Sequence, residues 1–202
     1  MGRRSLHTAD ELRELIIDAS TDLIREAGME GLSARAIARR IDYSPGTIYN
    51  SFENLDDLVL TIEGRLLDNL SEQLSRLPET DDPLQLVRDI AARYLDFVSA
   101  NPRLWNLLFE HHLPNALPVP DWYRAKLEAP IKMIEDALRP VAGGLSSEEI
   151  SRAARVLWAA MHGIASLSTA HKLSVATEGQ ARPMLDDLVR SYLAGRLQTA
   201  DV

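Results

Sequence analysis

Helical periodicity is the feature that most limits what this chain can fold into. Apolar residues return every three to four positions along most of the sequence, as Leu12, Ile16, Ala19 and Leu23 do in the first segment. No useful length alternates apolar and polar residues. Because a helix repeats every 3.6 residues and a strand every two, the pattern predicts an all-α protein.

Capping residues, glycines and prolines divide the periodic sequence into separate helices. Thr8 with Glu11 has the spacing of a capping box, as does Ser146 with Glu149, and Gly28 is placed to end the first helix. We expect helices at about residues 8–28, 33–40, 45–51, 54–77, 84–100, 102–111, 121–139, 146–173 and 183–199, a proline-rich loop at 113–120, and a kink or split at Pro130.

Net charge and the lack of cysteine narrow the class of protein. The 202 residues carry a net charge of -8 and no cysteine, which excludes disulfides, thiolate metal sites and cysteine-based redox sensing. Residues 1–50 hold seven arginines and eight acidic residues, so any contact with nucleic acid must come from a local cluster.

No run approaches the roughly 18 apolar residues of a membrane span, and residues 1–7 lack the apolar core of a secretory signal. We therefore expect no membrane contact and a cytoplasmic location.

Two short helices separated by a tight turn form the segment with the clearest functional pattern. The second of them begins with Ser44, Pro45 and Gly46, which supply an N-cap, a first helical residue and a position without a Cβ. This arrangement is typical of a helix-turn-helix that sets its second helix into the major groove of DNA. Ile37, Ile48 and Phe52 are expected in the core.

The residues of this segment also resemble a known family. Residues 32–38, 44–49 and Phe52 are similar, almost position for position, to the DNA-binding signature of the TetR family, and the match covers about residues 10–60. The resemblance implies a three-helix DNA-binding domain at 1–54, joined by a long helix to a helical effector-binding and dimerisation domain at 55–202. It also implies a homodimer on a palindromic operator in double-stranded DNA.

The candidate DNA contacts combine donors of different kinds. Arg35 is the best candidate for a bidentate contact with guanine, and Tyr49 has a hydroxyl that can meet a phosphate oxygen. Gly46 lets the helix approach DNA closely, because it has no Cβ. The full predicted set is Ser33, Arg35, Arg39, Ser44, Pro45, Gly46, Thr47, Tyr49 and Asn50, with Arg40 as a further phosphate candidate and Arg3 and Arg4 as a basic arm.

The sequence departs from the family pattern just after the helix-turn-helix. Where many members have His before the Phe and Lys at the start of the following helix, this chain has Ser51 and Leu55. A common phosphate-binding lysine is therefore missing beside Asp56 and Asp57. We expect DNA affinity to rest more on the arginines of the second helix, with weaker binding or a shallower dependence on salt.

Two stretches of the C-terminal part, 101–105 and 157–163, are similar to a TetR subgroup marked by a Trp and a His-Gly pair. The helix around Trp158 is apolar on several faces and the last helix carries a stripe from Leu185 to Leu193, which favours an intersubunit four-helix bundle. A small, largely apolar effector is expected inside residues 84–180, and the candidate lining residues are Tyr94, Phe97, Trp105, Phe109, Met133, Trp158, Met161 and His162. The predicted function is a transcriptional repressor released by that effector.

Some of these residues would also suit two other classes of protein. A metal protein or enzyme could use His111, His112, His162 and His171 with Glu110, but adjacent histidines on a helix point about 100° apart and chelate poorly. No phosphate loop, HExxH or activated nucleophile occurs, so we expect no enzyme activity, metal or cofactor. The alternative is a structural or partner-binding helical protein that has lost DNA binding, which Leu55 and the acidic charge would suit.

Overall fold

A computed structural model describes residues 7–113, 118–170 and 174–198, and this part of the chain is helical without strands. The prediction of an all-α fold is confirmed. Its α-helices are α1 (Ala9–Ala27), α2 (Ala34–Ile41), α3 (Leu55–Ser75), α4 (Pro83–Ala100), α5 (Pro102–Glu110), α6 (Asp121–Leu138), α7 (Ser147–Thr169) and α8 (Ala181–Gln198), with 3-10 helices at Met29–Gly31, Pro45–Asn50, Arg139–Val141 and Ser174–Ala176.

The helix ends follow the capping chemistry of the sequence. Thr8 Oγ1 accepts from Glu11 N at 3.2 Å while Glu11 Oε2 accepts from Thr8 N at 2.7 Å, so the predicted capping box forms. Ser146 and Glu149 form a second box at the start of α7. Gly28 ends α1 with a φ of 70°, a left-handed value that glycine adopts without steric cost.

Two predicted helices differ from the observed ones. The segment predicted as a helix at 45–51 is a 3-10 helix, Pro45–Asn50, too short to complete two α-helical turns between its Pro-Gly start and Ser51. α6 is not split at Pro130 but continues through it as one helix. The alternative, a kink at Pro130, stays a prediction. Proline removes one backbone hydrogen bond, and the packing of α6 on α4 and α7, with Pro130 buried, offsets that loss.

Some predictions concern residues outside those that the structure describes. They are the basic arm at Arg3 and Arg4, the centre of the loop at 114–117, His171, and the predicted helix ends at Leu173 and Thr199.

The chain forms two compact units, each built from two stretches of sequence. Unit 1 comprises Met1–Leu66 and Arg103–Pro120, and unit 2 comprises Leu67–Pro102 and Asp121–Val202. These are packing units, and the functional domains expected at 1–54 and 55–202 stay a prediction.

Unit 1 holds the helix-turn-helix. α2 packs on α1 and on the 3-10 helix Pro45–Asn50, and the side chains between them are fully buried isoleucines: Ile16, Ile24, Ile37 and Ile48. α5 joins this unit through Arg103, whose guanidinium donates to the backbone carbonyls of Arg25 and Glu26 at the end of α1. A cation there also suits the negative end of the α1 dipole.

Unit 2 is a bundle in which α4, α6, α7 and α8 pack against one another. Its fully buried side chains come from all four helices and include Val87, Tyr94, Ile134, Leu157, Met161 and Val189. Ion pairs on its outside join the same helices, as Arg88 and Asp186 join α4 to α8. No helix in the described residues is long and apolar enough to cross a membrane.

Candidate nucleic-acid interface

The turn between the two helices of the helix-turn-helix is set by local hydrogen bonds. Ser33 Oγ accepts from Ala36 N at 3.1 Å and starts α2. Asp42 ends it with a φ of 57°, and Tyr43 N donates to Ala38 O at 2.9 Å. The 3-10 helix Pro45–Asn50, called the recognition helix from here on, follows at once, so the chain reverses within a few residues.

Buried apolar side chains fix which face of this pair points outward. Ile37 and Ile48 have no exposed surface and Phe52 is 2% exposed, which confirms their predicted place in the core. The residues on the other side of the two helices are therefore held toward solvent. The exposed predicted residues are Ser33, Arg35, Arg39, Ser44, Pro45, Gly46, Tyr49 and Asn50, and Thr47 is half-buried.

The three arginines of α2 are not equivalent. Arg40 is paired with Glu26, with its two Nη atoms 2.8 and 2.5 Å from the carboxylate oxygens. For Arg35 and Arg39, the described residues provide no carboxylate within ion-pairing distance. Two of the three guanidinium groups are thus available to an outside anion, whereas Arg40 must first leave Glu26.

The recognition helix presents small and hydroxyl-bearing side chains. Ser44 Oγ and Thr47 Oγ1 lie 2.9 Å apart. Whichever hydroxyl donates this hydrogen bond, the proton of the other hydroxyl stays available to a ligand. A Cβ added at Gly46 would meet only Ser44 Oγ, at 4.0 Å. Packing within the protein therefore does not require glycine here. Tyr49 is 52% exposed.

In unit 2 the structure brings together three of the predicted effector residues. Tyr94 Oη lies 2.9 Å from His162 Nδ1, and the rings of Trp158 and His162 are stacked with centroids 5.8 Å apart. Ser166 Oγ lies 3.1 Å from His162 Nε2. Burial lowers the pKa of His162, so the imidazole is neutral at neutral pH and uses one nitrogen as donor and the other as acceptor.

The indole of Trp158 is the unusual member of this cluster. Its Nε1 is buried, and no described residue accepts its proton. A buried donor without an acceptor costs about 1–3 kcal/mol. The cluster thus contains a donor that a ligand oxygen could satisfy.

The other five predicted effector residues are divided between the two units. Phe97 and Met161 are buried in unit 2 and Met133 is half-buried there. Trp105 and Phe109 belong to unit 1, where their ring centroids are 6.3 Å apart. None of the eight lines the polar cleft of about 180 Å³ between α4 and α8, which is formed by Gln85, Arg88, Asp89, Ala91, Ala92, Arg182, Leu185 and Asp186.

Comparison with known proteins identifies the family. The model of bacterial regulatory proteins of the tetR family matches residues 16–62, and the model of the tetracyclin repressor-like C-terminal domain matches residues 87–192. The chain belongs to the TetR family. It is therefore a transcriptional regulator with a helix-turn-helix rather than an enzyme.

Individual relatives and solved structures support this assignment to different degrees. The HTH-type transcriptional repressor Rv3405c of Mycobacterium tuberculosis is 36% identical over 95 residues, which is 46% of each chain, so the match spans less than half of that relative's length. A tetR-family regulator from Streptomyces coelicolor superposes with a TM-score of 0.69 at 14% identity, covering 99% of this chain and 90% of the other. FadR of Thermus thermophilus, a TetR-family repressor solved with lauroyl-CoA, gives 0.64 at 24% identity, covering 91% and 94%. At such identities the two structures show a shared fold.

Arg13 is a residue of this TetR helix-turn-helix that sequence reasoning missed. Its Nη1 donates to Ser51 O at 2.6 Å, directly after the recognition helix, and its Cζ lies 4.1 Å from the centroid of the Phe52 ring. Nη2 lies 3.5 Å from Thr61 Oγ1 on α3. One guanidinium thus ties the end of the recognition helix to α1 and α3. The sequence shows an arginine beside the apolar face of α1 but not its partners.

In the described part of the chain, no three His, Asp or Glu side chains are grouped to hold a metal ion. His112 Nδ1 lies 2.8 Å from the backbone oxygen of Glu110. His111 contacts two carboxylates of α3 instead, an arrangement that the sequence did not suggest.

The first prediction concerns Gly46. Gly46→Ala should weaken binding to a selected DNA duplex by about 5 to 30-fold, equivalent to about 1–2 kcal/mol, because the new methyl group stands between the recognition helix and DNA. Since nothing in the described protein crowds that position, the free energy of unfolding should stay the same or rise slightly. Gel shift and urea unfolding measure the two effects.

Gly143→Ala is the matched control, because Gly143 also has free space around it and lies in unit 2. This variant should bind DNA like the wild type. Equal DNA affinity for Gly46→Ala and wild type would show that this face does not approach DNA.

Proposed function

We propose that this TetR-family regulator is a homodimeric repressor that binds a palindromic operator in double-stranded DNA and is released by a small, largely apolar effector. One observation supports the DNA part of this proposal: the two helices have a buried side and an exposed side. Ile37 and Ile48 are buried, and Arg35, Arg39 and Tyr49 are exposed on the opposite side. The name of the M. tuberculosis relative supports repression. The protein would act in the bacterial cytoplasm, where the DNA is.

The DNA contacts divide into those that read bases and those that position the protein. We assign Arg35 to a guanine, because an exposed guanidinium without an internal ion pair can reach O6 and N7 together. Arg39, Ser33, Ser44, Thr47 and Tyr49 would contact phosphates, and Asn50 a base edge or the backbone. With Arg40 held by Glu26, few cations remain at this surface, which favours a shallow dependence of affinity on salt.

The dimer interface is proposed on α7 and α8. Val156, Leu167 and Met184 are each at least 36% exposed, and Ala159 between them on α7 is exposed as well. Such an apolar helix face on a folded unit marks a surface that a second copy would cover. The stripe predicted on the last helix divides in the structure, because Leu185, Val189 and Leu193 are buried within unit 2 while Leu188 and Tyr192 are half-exposed.

The effector is proposed to bind at the cluster of Tyr94, Trp158 and His162. These aromatic rings and a neutral imidazole suit a largely apolar molecule, and the buried Trp158 Nε1 needs a hydrogen-bond acceptor. The effector would therefore carry a carbonyl or similar oxygen. A coupling free energy of about 1–3 kcal/mol between this site and DNA would change operator affinity about 5 to 150-fold. The lauroyl-CoA bound to T. thermophilus FadR makes a long-chain acyl thioester the first compound to test.

The DNA assignment predicts different losses for two substitutions. Arg35→Ala should cost about 1–3 kcal/mol of binding free energy and relax the preference at one base pair in each half-site. Tyr49→Phe should weaken binding to all sequences alike, since it removes one uncharged phosphate contact. Selection of bound sequences from random duplex DNA, first with the wild type and then with each variant, measures both.

An enriched palindrome for the wild type is the expected result of that selection. If the wild type enriches no sequence, the chain is instead a helical partner-binding protein that has lost DNA binding. If both variants retain wild-type affinity and preference, the DNA-binding face lies elsewhere.

The dimer assignment predicts that Val156→Glu produces a monomer. A buried unpaired carboxylate costs several kcal/mol in an interface, whereas on an exposed surface of the monomer it costs little. Sedimentation should give twice the chain mass for wild type and the single-chain mass for the variant. Val175→Glu, the same change at a residue that is 74% exposed on Ser174–Ala176, is the control and should stay dimeric. A wild type that is monomeric at micromolar concentration would refute the interface.

The effector assignment predicts a loss at Trp158 that depends on the indole N–H. Trp158→Phe keeps an aromatic ring but removes the donor, so the lauroyl-CoA concentration that releases operator should rise about threefold to tenfold. Trp122→Phe changes a tryptophan that is 46% exposed on α6 and should leave release unchanged. Equal release from both variants and wild type would place the effector elsewhere.

A further inference from the structure

His111 makes the most unusual polar contact of unit 1. It lies directly after α5, where its backbone N–H donates to Leu107 O, and its side chain is 5% exposed. Nδ1 is 3.1 Å from Glu63 Oε1 and Nε2 is 3.2 Å from Asp56 Oδ1. Asp56 and Glu63 are seven residues apart on α3, which places them on one face of that helix.

With both carboxylates ionised, only the protonated imidazole satisfies both contacts. A neutral imidazole carries one N–H, so one ring nitrogen would direct its lone pair at a carboxylate oxygen, whereas the imidazolium donates from both nitrogens. The hydrogen bond with Glu63 raises the pKa of His111. Burial opposes this rise, and the charge of Glu63 and the contact with Asp56 add to it.

Among the described residues, the charged groups that act on the His111 imidazole are two carboxylates of α3. Glu63 is 2% exposed and Asp56 is 37% exposed, so the first faces the protein and the second faces solvent. Glu110 and His112 flank His111 in sequence and are exposed. If the His111 imidazole were neutral, the buried Glu63 carboxylate would have no cation to pair with in this contact.

Asp56 connects this contact to the proposed DNA surface. It lies in the first turn of α3, six positions after Asn50, the last residue of the recognition helix. It also directly follows Leu55, the uncharged first residue of α3. A bare carboxylate there would repel the phosphate backbone, and the imidazolium of His111 cancels part of that charge.

We propose that operator binding by this regulator is coupled to proton uptake at His111, so that operator affinity falls as pH rises. One proton adds to the neutral imidazole, and the resulting cation donates to Asp56 and Glu63 together. The negative field of the phosphates stabilises that cation further in the complex. The inference rests on the proposed placement of the DNA surface at α2 and the recognition helix.

The direction of the pH effect follows from the raised pKa. The protonated bridge is complete below the ordinary pKa of histidine, about 6.5, and is lost as pH rises through the higher pKa that His111 has in the folded protein. If DNA raises that pKa by half a unit to one unit, affinity falls about threefold to tenfold between the acidic and the alkaline limit.

The test measures the dissociation constant for a selected operator between about pH 5.5 and 8.5 at fixed ionic strength. The wild type should lose affinity threefold to tenfold across this range, and His111→Gln, which keeps an N–H donor but does not titrate, should show a flat profile. His112→Gln is the matched control, because its side chain is exposed and contacts only the Glu110 backbone oxygen among the described residues. It should keep the wild-type profile.

Two further measurements test the proton at His111 independently of the His111→Gln variant. Glu63→Gln removes the carboxylate whose hydrogen bond raises the pKa of His111 most. The midpoint of the affinity profile should therefore move to lower pH while the chain stays folded by circular dichroism. NMR titration of the His111 imidazole should give a higher pKa in the operator complex than in the free protein.

Several outcomes would overturn the inference. A flat wild-type profile, or a His111→Gln profile like that of the wild type, would leave DNA binding intact but refute proton coupling at His111. A profile flattened by His7→Gln instead would assign the proton to His7, whose Nδ1 lies 2.7 Å from the Tyr43 hydroxyl in the helix-turn-helix. A wild type that binds no DNA at any pH would refute the proposed function and this inference together.

Discussion

Burial of three apolar side chains, Ile37, Ile48 and Phe52, is the interaction on which the DNA-binding part of the structure depends. A six-residue 3-10 helix has no stability of its own in water, and each such side chain contributes about 1.5–3 kcal/mol when it leaves water. Their burial fixes the rotation of α2 and the recognition helix about their axes. Everything that those helices present to solvent, including Arg35 and Tyr49, follows from that rotation. Arg13 then fixes the end of the recognition helix by binding the Ser51 carbonyl.

The distribution of charge explains how an acidic protein can present a surface for DNA. With a net charge of -8, long-range attraction to DNA is weak, so the few exposed cations of α2 must act at short range. Ion pairs within the protein reduce the free positive charge further: Arg40 of α2 is held by Glu26, and Arg65 of α3 is held by Glu14. Because so few free cations remain near this surface, the charge of a single histidine beside Asp56 changes the local net charge substantially.

The C-terminal part shows that one arrangement of helices can be built from very different side chains. The structural neighbours share the arrangement of helices at 14% and 24% identity, so packing of α4, α6, α7 and α8 tolerates wide changes in side chains. Inside this packing, His162 shares hydrogen bonds with Tyr94 and Ser166, and the indole N–H of Trp158 is buried.

The sequence by itself determined the helices and the helix-turn-helix, because these depend on interactions between residues close in the chain. Capping boxes at Thr8 and Ser146, the stop at Gly28 and the apolar period all act within a few residues. Whether a side chain is exposed, paired or buried was decided only by the tertiary structure. Among the described residues, Arg40 is paired and Arg39 is not, because Glu26 of another helix lies within reach of Arg40. Leu185 is buried while Leu188 is half-exposed, because α4 and α7 cover one side of α8. His111 meets Asp56 and Glu63 across about 50 residues of chain. Such contacts join residues far apart in sequence, and no local pattern encodes them.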